Sequence, residues 1–83
     1  MQPYVGARIG DCIGLEVEGT EVAMLMDGTV QIECPTWNSK IAFRTSRESL
    51  VDAPQPSMDG RQVIANPKFK DDARIESILI WQE

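Results

Sequence analysis

The stretch that most limits what this chain can become is 12–33, CIGLEVEGTEVAMLMDGTVQIE, where apolar and polar residues alternate on either side of two glycine-marked turns. Alternation with a period of two marks half-buried β-strands, because successive side chains leave a strand on opposite faces. In CIGLEVE, Ile13, Leu15 and Val17 point one way, and Gly14, Glu16 and Glu18 the other. Gly19-Thr20 has its glycine first, as a type II′ hairpin turn requires. In that register Glu18 stands opposite Glu21, Val17 opposite Val22, Leu15 opposite Met24 and Ile13 opposite Met26.

The second turn has two solutions. A two-residue loop, Asp27-Gly28, pairs Leu25 with Val30 but sets Val22 and Met24 opposite Glu33 and Gln31. The first hairpin has already placed Val22 and Met24 on the apolar face. A three-residue loop, Met26-Asp27-Gly28 with Gly28 left-handed, removes the conflict by pairing Met24 with Val30 and Val22 with Ile32. A slip of one residue would turn every side chain over, so this choice fixes both faces. The expected core face is Ile13, Leu15, Val17, Val22, Met24, Val30 and Ile32. The expected outer face carries Glu16, Glu18, Glu21, Thr29, Gln31 and Glu33 around Ala23 and Leu25. Glu21 would then lie between Glu18 and Glu33, and like charges opposed in a sheet cost a few tenths of a kcal/mol to about 1 kcal/mol per pair.

Beyond Pro35 and the loop PTWNSK, residues 41–46 (IAFRTS) read as a strand with Ile41 and Phe43 inward and Arg44 outward. Thr45-Ser46-Arg47-Glu48 has capping-box spacing, and a single helical turn over SRESLV fits before Pro54 and Pro56. APQPSMDG (53–60) is a loop, RQVIA (61–65) a short strand and NPKFKDD a turn. The tail ARIESILIWQE suits a strand better than a helix, given its β-branched run and β-rich context, with Trp81 in the core. MDGTVQIECPTW and MDGRQVIANPKF align at an offset of 32 residues, a hint that both are turn–strand–turn units. The fold expected is mainly β: a single domain over 1–83, a small antiparallel sheet or partly open barrel of five to six strands, with at most one short helix.

Charge and composition narrow the chemistry. The chain has 83 residues, thirteen acids, eight bases and no histidine, for a net charge of −5. Residues 1–34 hold six acids and only Arg8 as a base, whereas residues 35–83 hold seven of each, so all the net charge belongs to the first part. That argues against generic binding to a phosphate backbone and suits a basic protein partner. Without histidine, Ser–His and Cys–His catalysis and His-based zinc sites are excluded. No glycine-rich phosphate loop or dinucleotide fingerprint is present. Cys12 and Cys34 lack metal-ligand spacing and read as reduced thiols, with a bridge between them as the alternative, and Asp71-Asp72 reads as a solvated turn. No enzyme, metal or cofactor is expected. No apolar run approaches the roughly 20 residues of a membrane span, and the N-terminus lacks signal-peptide character, so a cytoplasmic chain is expected.

Three features suit binding. The acidic outer face (Glu16, Glu18, Glu21 and Glu33 around Leu25) is built as interfaces often are, apolar at the centre and charged at the rim. Trp37, with Arg44 nearby, is the residue type that anchors interfaces. Lys68-Phe69-Lys70, with Arg61, could stack on single-stranded nucleic acid, though Asp71 and Asp72 weaken the field. The favoured expectation is a non-catalytic inhibitor, of the kind phages and mobile elements encode, that covers the basic, nucleic-acid-binding surface of a partner. A homo-oligomeric accessory module pairing through strand edges, or a small barrel binding nucleic acid, are the alternatives.

Overall fold

A computed structural model describes the backbone of residues 4–14 and 17–82, and the side chains of the same residues through Ile80. Five antiparallel strands form one open sheet: β1 (Glu21–Met24), β2 (Val30–Pro35), β3 (Ser39–Thr45), β4 (Gln62–Val63) and β5 (Ser77–Gln82). Their order across the sheet is β4-β1-β2-β3-β5. Among the described residues, one short helix, α1 (Ile9–Cys12), and a 3₁₀ turn, Arg47–Ser49, complete the regular structure.

The β1–β2 connection follows the three-residue solution. Val22 faces Ile32, Met24 faces Val30 and Glu21 faces Glu33. The Leu25 amide bonds the Thr29 carbonyl at 2.8 Å, leaving Met26-Asp27-Gly28 as the loop, and Gly28 has φ of +86°. Asp27 accepts the Thr29 N–H at 2.9 Å and so closes the loop from within. That bond, with a second from the Thr29 hydroxyl, holds the Asp27 carboxyl below its ordinary pKa. β2 and β3 are joined by an even tighter turn, Thr36–Ser39, in which the Thr36 N–H and hydroxyl both donate to the Ser39 carbonyl.

Rows of facing residues define the inner side of the sheet: Val22–Ile32–Phe43–Ile78 and Met24–Val30–Thr45. Val22, Met24, Val30, Ile32 and Phe43 are buried there. The layer that covers them is irregular. It contributes Ile9, Ile13, Leu50, Ala73 and Ile75, with Ile64 and Phe69 half-buried beside them. Irregular backbone at a core needs hydrogen bonds of its own. Residues 6–9 pair with 73–75 (Gly6 N to Ile75 O, Ile75 N to Ala7 O, Ile9 N to Ala73 O), and residues 49–51 pair with 68–70 (Lys70 N to Ser49 O, Val51 N to Lys68 O). Tyr4 meets the Phe43 ring edge-on, with centroids 5.8 Å apart.

The described residues of the first expected strand, 12–14 and 17–18, are not in a strand. Residues 9–12 make a helical turn, residues 17–20 a β-turn (Thr20 N to Val17 O, 3.1 Å), and Val17 is 54% exposed. Gly19 has φ of +88° as the third residue of that turn, which suits a type II geometry in place of the II′ hairpin. Two patterns compete in this segment. Ile9 and Ile13 lie four residues apart, one helical turn, and both reach the core. The outer edge of β1, where residues 12–18 were expected, is instead occupied by β4: Ala23 faces Val63 and Met24 faces Gln62. Leu15 and Glu16 lie outside the described residues, as does the Trp81 side chain.

Other expectations fare better. The 41–46 strand spans Ser39–Thr45, with Phe43 inward; the tail is a strand; the 61–65 strand shortens to Gln62–Val63. The single turn after β3 is present, but without the capping box. Thr45 is still in the strand and buried, and Ser46, the residue before the turn, makes no side-chain cap. Ala23, expected on a wet face, is fully buried, as is Ala42 on the same side.

Candidate binding face

Among the described residues, no layer covers the outer side of the sheet. Alternation from the register above sets out its rows: Glu21–Glu33–Ala42–Leu79, then Val63–Ala23–Gln31–Arg44–Ser77. Ala23 and Ala42 form its floor, each wholly buried among longer neighbours such as Glu33, Gln31 and Leu79. Leu25, half-buried, and Arg61 continue the face at the β1–β4 end and line a shallow pocket with Met26 and Gly60.

Glu21 and Glu33 do stand opposite one another, as the alternation predicts, yet the pair is not bare. The Arg61 guanidinium bonds Glu21 Oε1 and lies 3.5 Å from Glu33 Oε1. Lys40 Nζ is 3.9 Å from Glu33 Oε2, and Gln31 Nε2 donates to Glu33 Oε1 at 2.7 Å. The acidic row is thus a mixed-charge network centred on Arg61. The expected Glu21–Glu33 pairing is formed, with Arg61 and Lys40 among its carboxylates, whereas the expected Glu18–Glu21 pairing is not. Glu18 is exposed in the 17–20 turn, and Glu16 lies outside the described residues.

Arg61 being about as exposed as Glu21, its bonds add little in water. Their main effect is to offset the opposed carboxylates. Arg61→Ala should therefore lower stability by up to about 1 kcal/mol at low salt, with most of that loss erased in about 1 M salt. Paired urea titrations at the two salt levels measure it; an equal loss at both would show that Arg61 acts through packing.

Arg44 is half-buried on the same face. Its Nε is sealed from solvent without a hydrogen-bond partner. It lines a groove of about 570 Å³ with Asp27, Thr29, Arg47, Glu48 and Glu76. Arg47 is held structurally, donating to the carbonyls of Pro54 (2.8 Å) and Ala53 (3.0 Å).

Trp37 is 97% exposed at the tip of the β2–β3 hairpin. Of the expected partner-binding residues, Glu21, Leu25, Glu33 and Arg44 share the bare face, and Trp37 projects from the end of the hairpin that forms its middle. The expected basic cluster is not assembled. Arg61 lies on the bare face, while Lys68, Phe69 and Lys70 belong to the covering layer on the other side, with Phe69 packed against the core.

Cys12 and Cys34 are free and half-buried. Burial pushes the Cys34 thiol above its ordinary pKa, so it stays protonated at neutral pH, a poor state for a nucleophile. Among the described residues, no helix is long and apolar enough to cross a membrane.

Fold and face together define a small, mainly β domain with an open sheet, one side of which is uncovered among the described residues. No protein-family model, curated protein or solved structure matches the chain. Sequence reasoning missed Arg61 and Lys40 as members of the face. For Arg61 the signal was its alternation with Val63, but only the β1–β4 pairing across 40 residues reveals which carboxylates it meets.

Proposed function

We propose that this domain is a non-catalytic protein-binding module that docks its bare sheet face on a partner and anchors with Trp37. The observation that carries this is the tryptophan itself, 97% exposed on a hydrogen-bonded hairpin tip. A tryptophan carries about 150–250 Å² of surface that stabilises a fold only when buried, and such residues dominate the energetics of interfaces when a partner covers them. A short hairpin also holds it with little conformational freedom to lose on binding.

The net charge of −5 favours a basic partner at long range. Because Arg61 and Lys40 engage Glu21 and Glu33, apolar and aromatic contacts supply the affinity in this reading, and charge supplies steering. Occlusion of a basic, nucleic-acid-binding surface remains the mechanism that this charge favours.

The test compares wild type with Trp37→Ala and Glu18→Lys in capture from source-cell lysate, with quantitative mass spectrometry. Trp37→Ala should leave thermal stability within about 0.5 kcal/mol of wild type, since the ring packs on little. It should reduce capture of the principal partner by about tenfold or more. Glu18→Lys, which leaves the Arg61 network intact, should slow association chiefly at low salt. Undiminished capture by Trp37→Ala would overturn the proposal.

A further inference from the structure

The two edges of the sheet differ in kind. β4 is two residues long and is preceded by Arg61, features that blunt an edge against further pairing. β5 is six residues long, and its sequence, SILIWQ, contains no charge, proline or glycine. Its one irregularity lies before its start, where the Glu76 amide bonds the Arg44 carbonyl although Arg44 is already opposite Ser77. Upstream, residues 73–75 have their outer side paired by residues 6–9. Among the described residues, that cover ends at Ile75, and nothing pairs with the outer edge of β5. Leu79 and Ile80, on opposite faces of the strand, are 47% and 55% exposed.

We propose that β5 pairs with β5 of a second copy of this chain about a two-fold axis, making one continuous antiparallel sheet from both. Two considerations select a second copy over another occupant. An edge strand that meets its own copy about a two-fold axis is self-complementary by construction. In addition, molecules each carrying −5 repel, so self-contact is favoured where charge is absent, and β5 is the only long strand of the sheet with none. Centred on Leu79, the pairing sets Leu79 against its own copy and Ile78 against Ile80, keeping both faces of the sheet in register. The two Glu76 carboxylates are carried to opposite ends of the ladder. A six-residue ladder buries less than a standard interface, so the dimer is weak, with a dissociation constant on the order of 10–100 μM.

The experiment is sedimentation equilibrium on the purified chain from about 1 to 500 μM, a range that brackets such a constant. The wild type should pass from one chain mass to two, and Trp37→Ala should behave identically, which separates this contact from the partner-binding face. Leu79→Lys, which opposes two ammonium groups at the axis, should stay at one chain mass with an unchanged circular dichroism spectrum. Raising salt should tighten the wild-type dimer, because screening relieves repulsion between like-charged copies. A single chain mass at every concentration would overturn the proposal. So would dimerisation of folded Leu79→Lys, weakening with salt, or growth beyond two chains, which would mean the edges pair head-to-tail.

Discussion

Ile32→Ala will remove about 2–5 kcal/mol of stability, the range for truncating a large apolar side chain where the surroundings cannot collapse into the gap. Ile32 is fully buried at the centre of β2, the middle strand, between Val22 and Phe43. Stability of about 0.05–0.15 kcal/mol per residue gives a domain of this length roughly 4–12 kcal/mol. The substitution therefore uses up a large share of the whole. In urea the midpoint should fall by at least about 2 M, if the dependence on denaturant is about 1 kcal/mol/M, the low end of the usual range. Leu79→Ala, on the bare face, is the control and should cost less than about 1 kcal/mol. A small effect at Ile32 with a large one at Gln31 or Glu33 would mean that β2 is turned over, and the assignment of faces would fail with it.

Thr45→Val will cost about 1–3 kcal/mol although it preserves shape and volume. The Thr45 hydroxyl donates to the Arg74 carbonyl at 2.7 Å and, having spent its one proton there, accepts from the Ser49 hydroxyl at 2.7 Å. Both Thr45 and Ser49 are buried. Valine leaves the buried serine hydroxyl and the partly buried carbonyl without this partner. Thr45→Ser keeps the hydroxyl and loses only a methyl group, so it should be the milder change. If serine proves as damaging as valine, packing accounts for the site and the hydrogen bonds do not. A double-mutant cycle with Ser49→Ala isolates their coupling.

What was legible in the sequence depended on how local the deciding forces were. The β1–β2 register followed from two apolar runs and a glycine within one short stretch, and it stands even though the described residues of 12–20 do not form the hairpin used to argue for it. Val22 and Met24 pair with Ile32 and Val30 because a slip of one residue would bury Gln31 and Glu33. Residues 12–18 were misread because alternation there competes with the four-residue spacing of Ile9 and Ile13. The competition is decided by β4, which takes the edge of β1 from 40 residues downstream. The capping box failed for a similar reason: Thr45 is claimed by Arg74, 29 residues away. The candidate face was half legible. Alternation placed Glu21, Leu25, Glu33 and Arg44 on one side, but alternation carries no information about which distant cation will sit among them.

The irregular layer over the core has a consequence for the path by which the chain folds. The β1–β2 and β2–β3 hairpins close through loops of a few residues and carry little entropic cost. β5 must return to β3 across the whole 46–76 segment, and the bridge between Arg8 and Arg74 spans 66 residues. Contacts of that separation are slow to form. The three-stranded centre should therefore be native-like in the transition state, with the seal over its apolar face forming afterwards. In that interval Val22, Ile32 and Phe43 would be aligned on a formed sheet and open to water, so the risk of misassociation lies late in folding, after the strands have found their register.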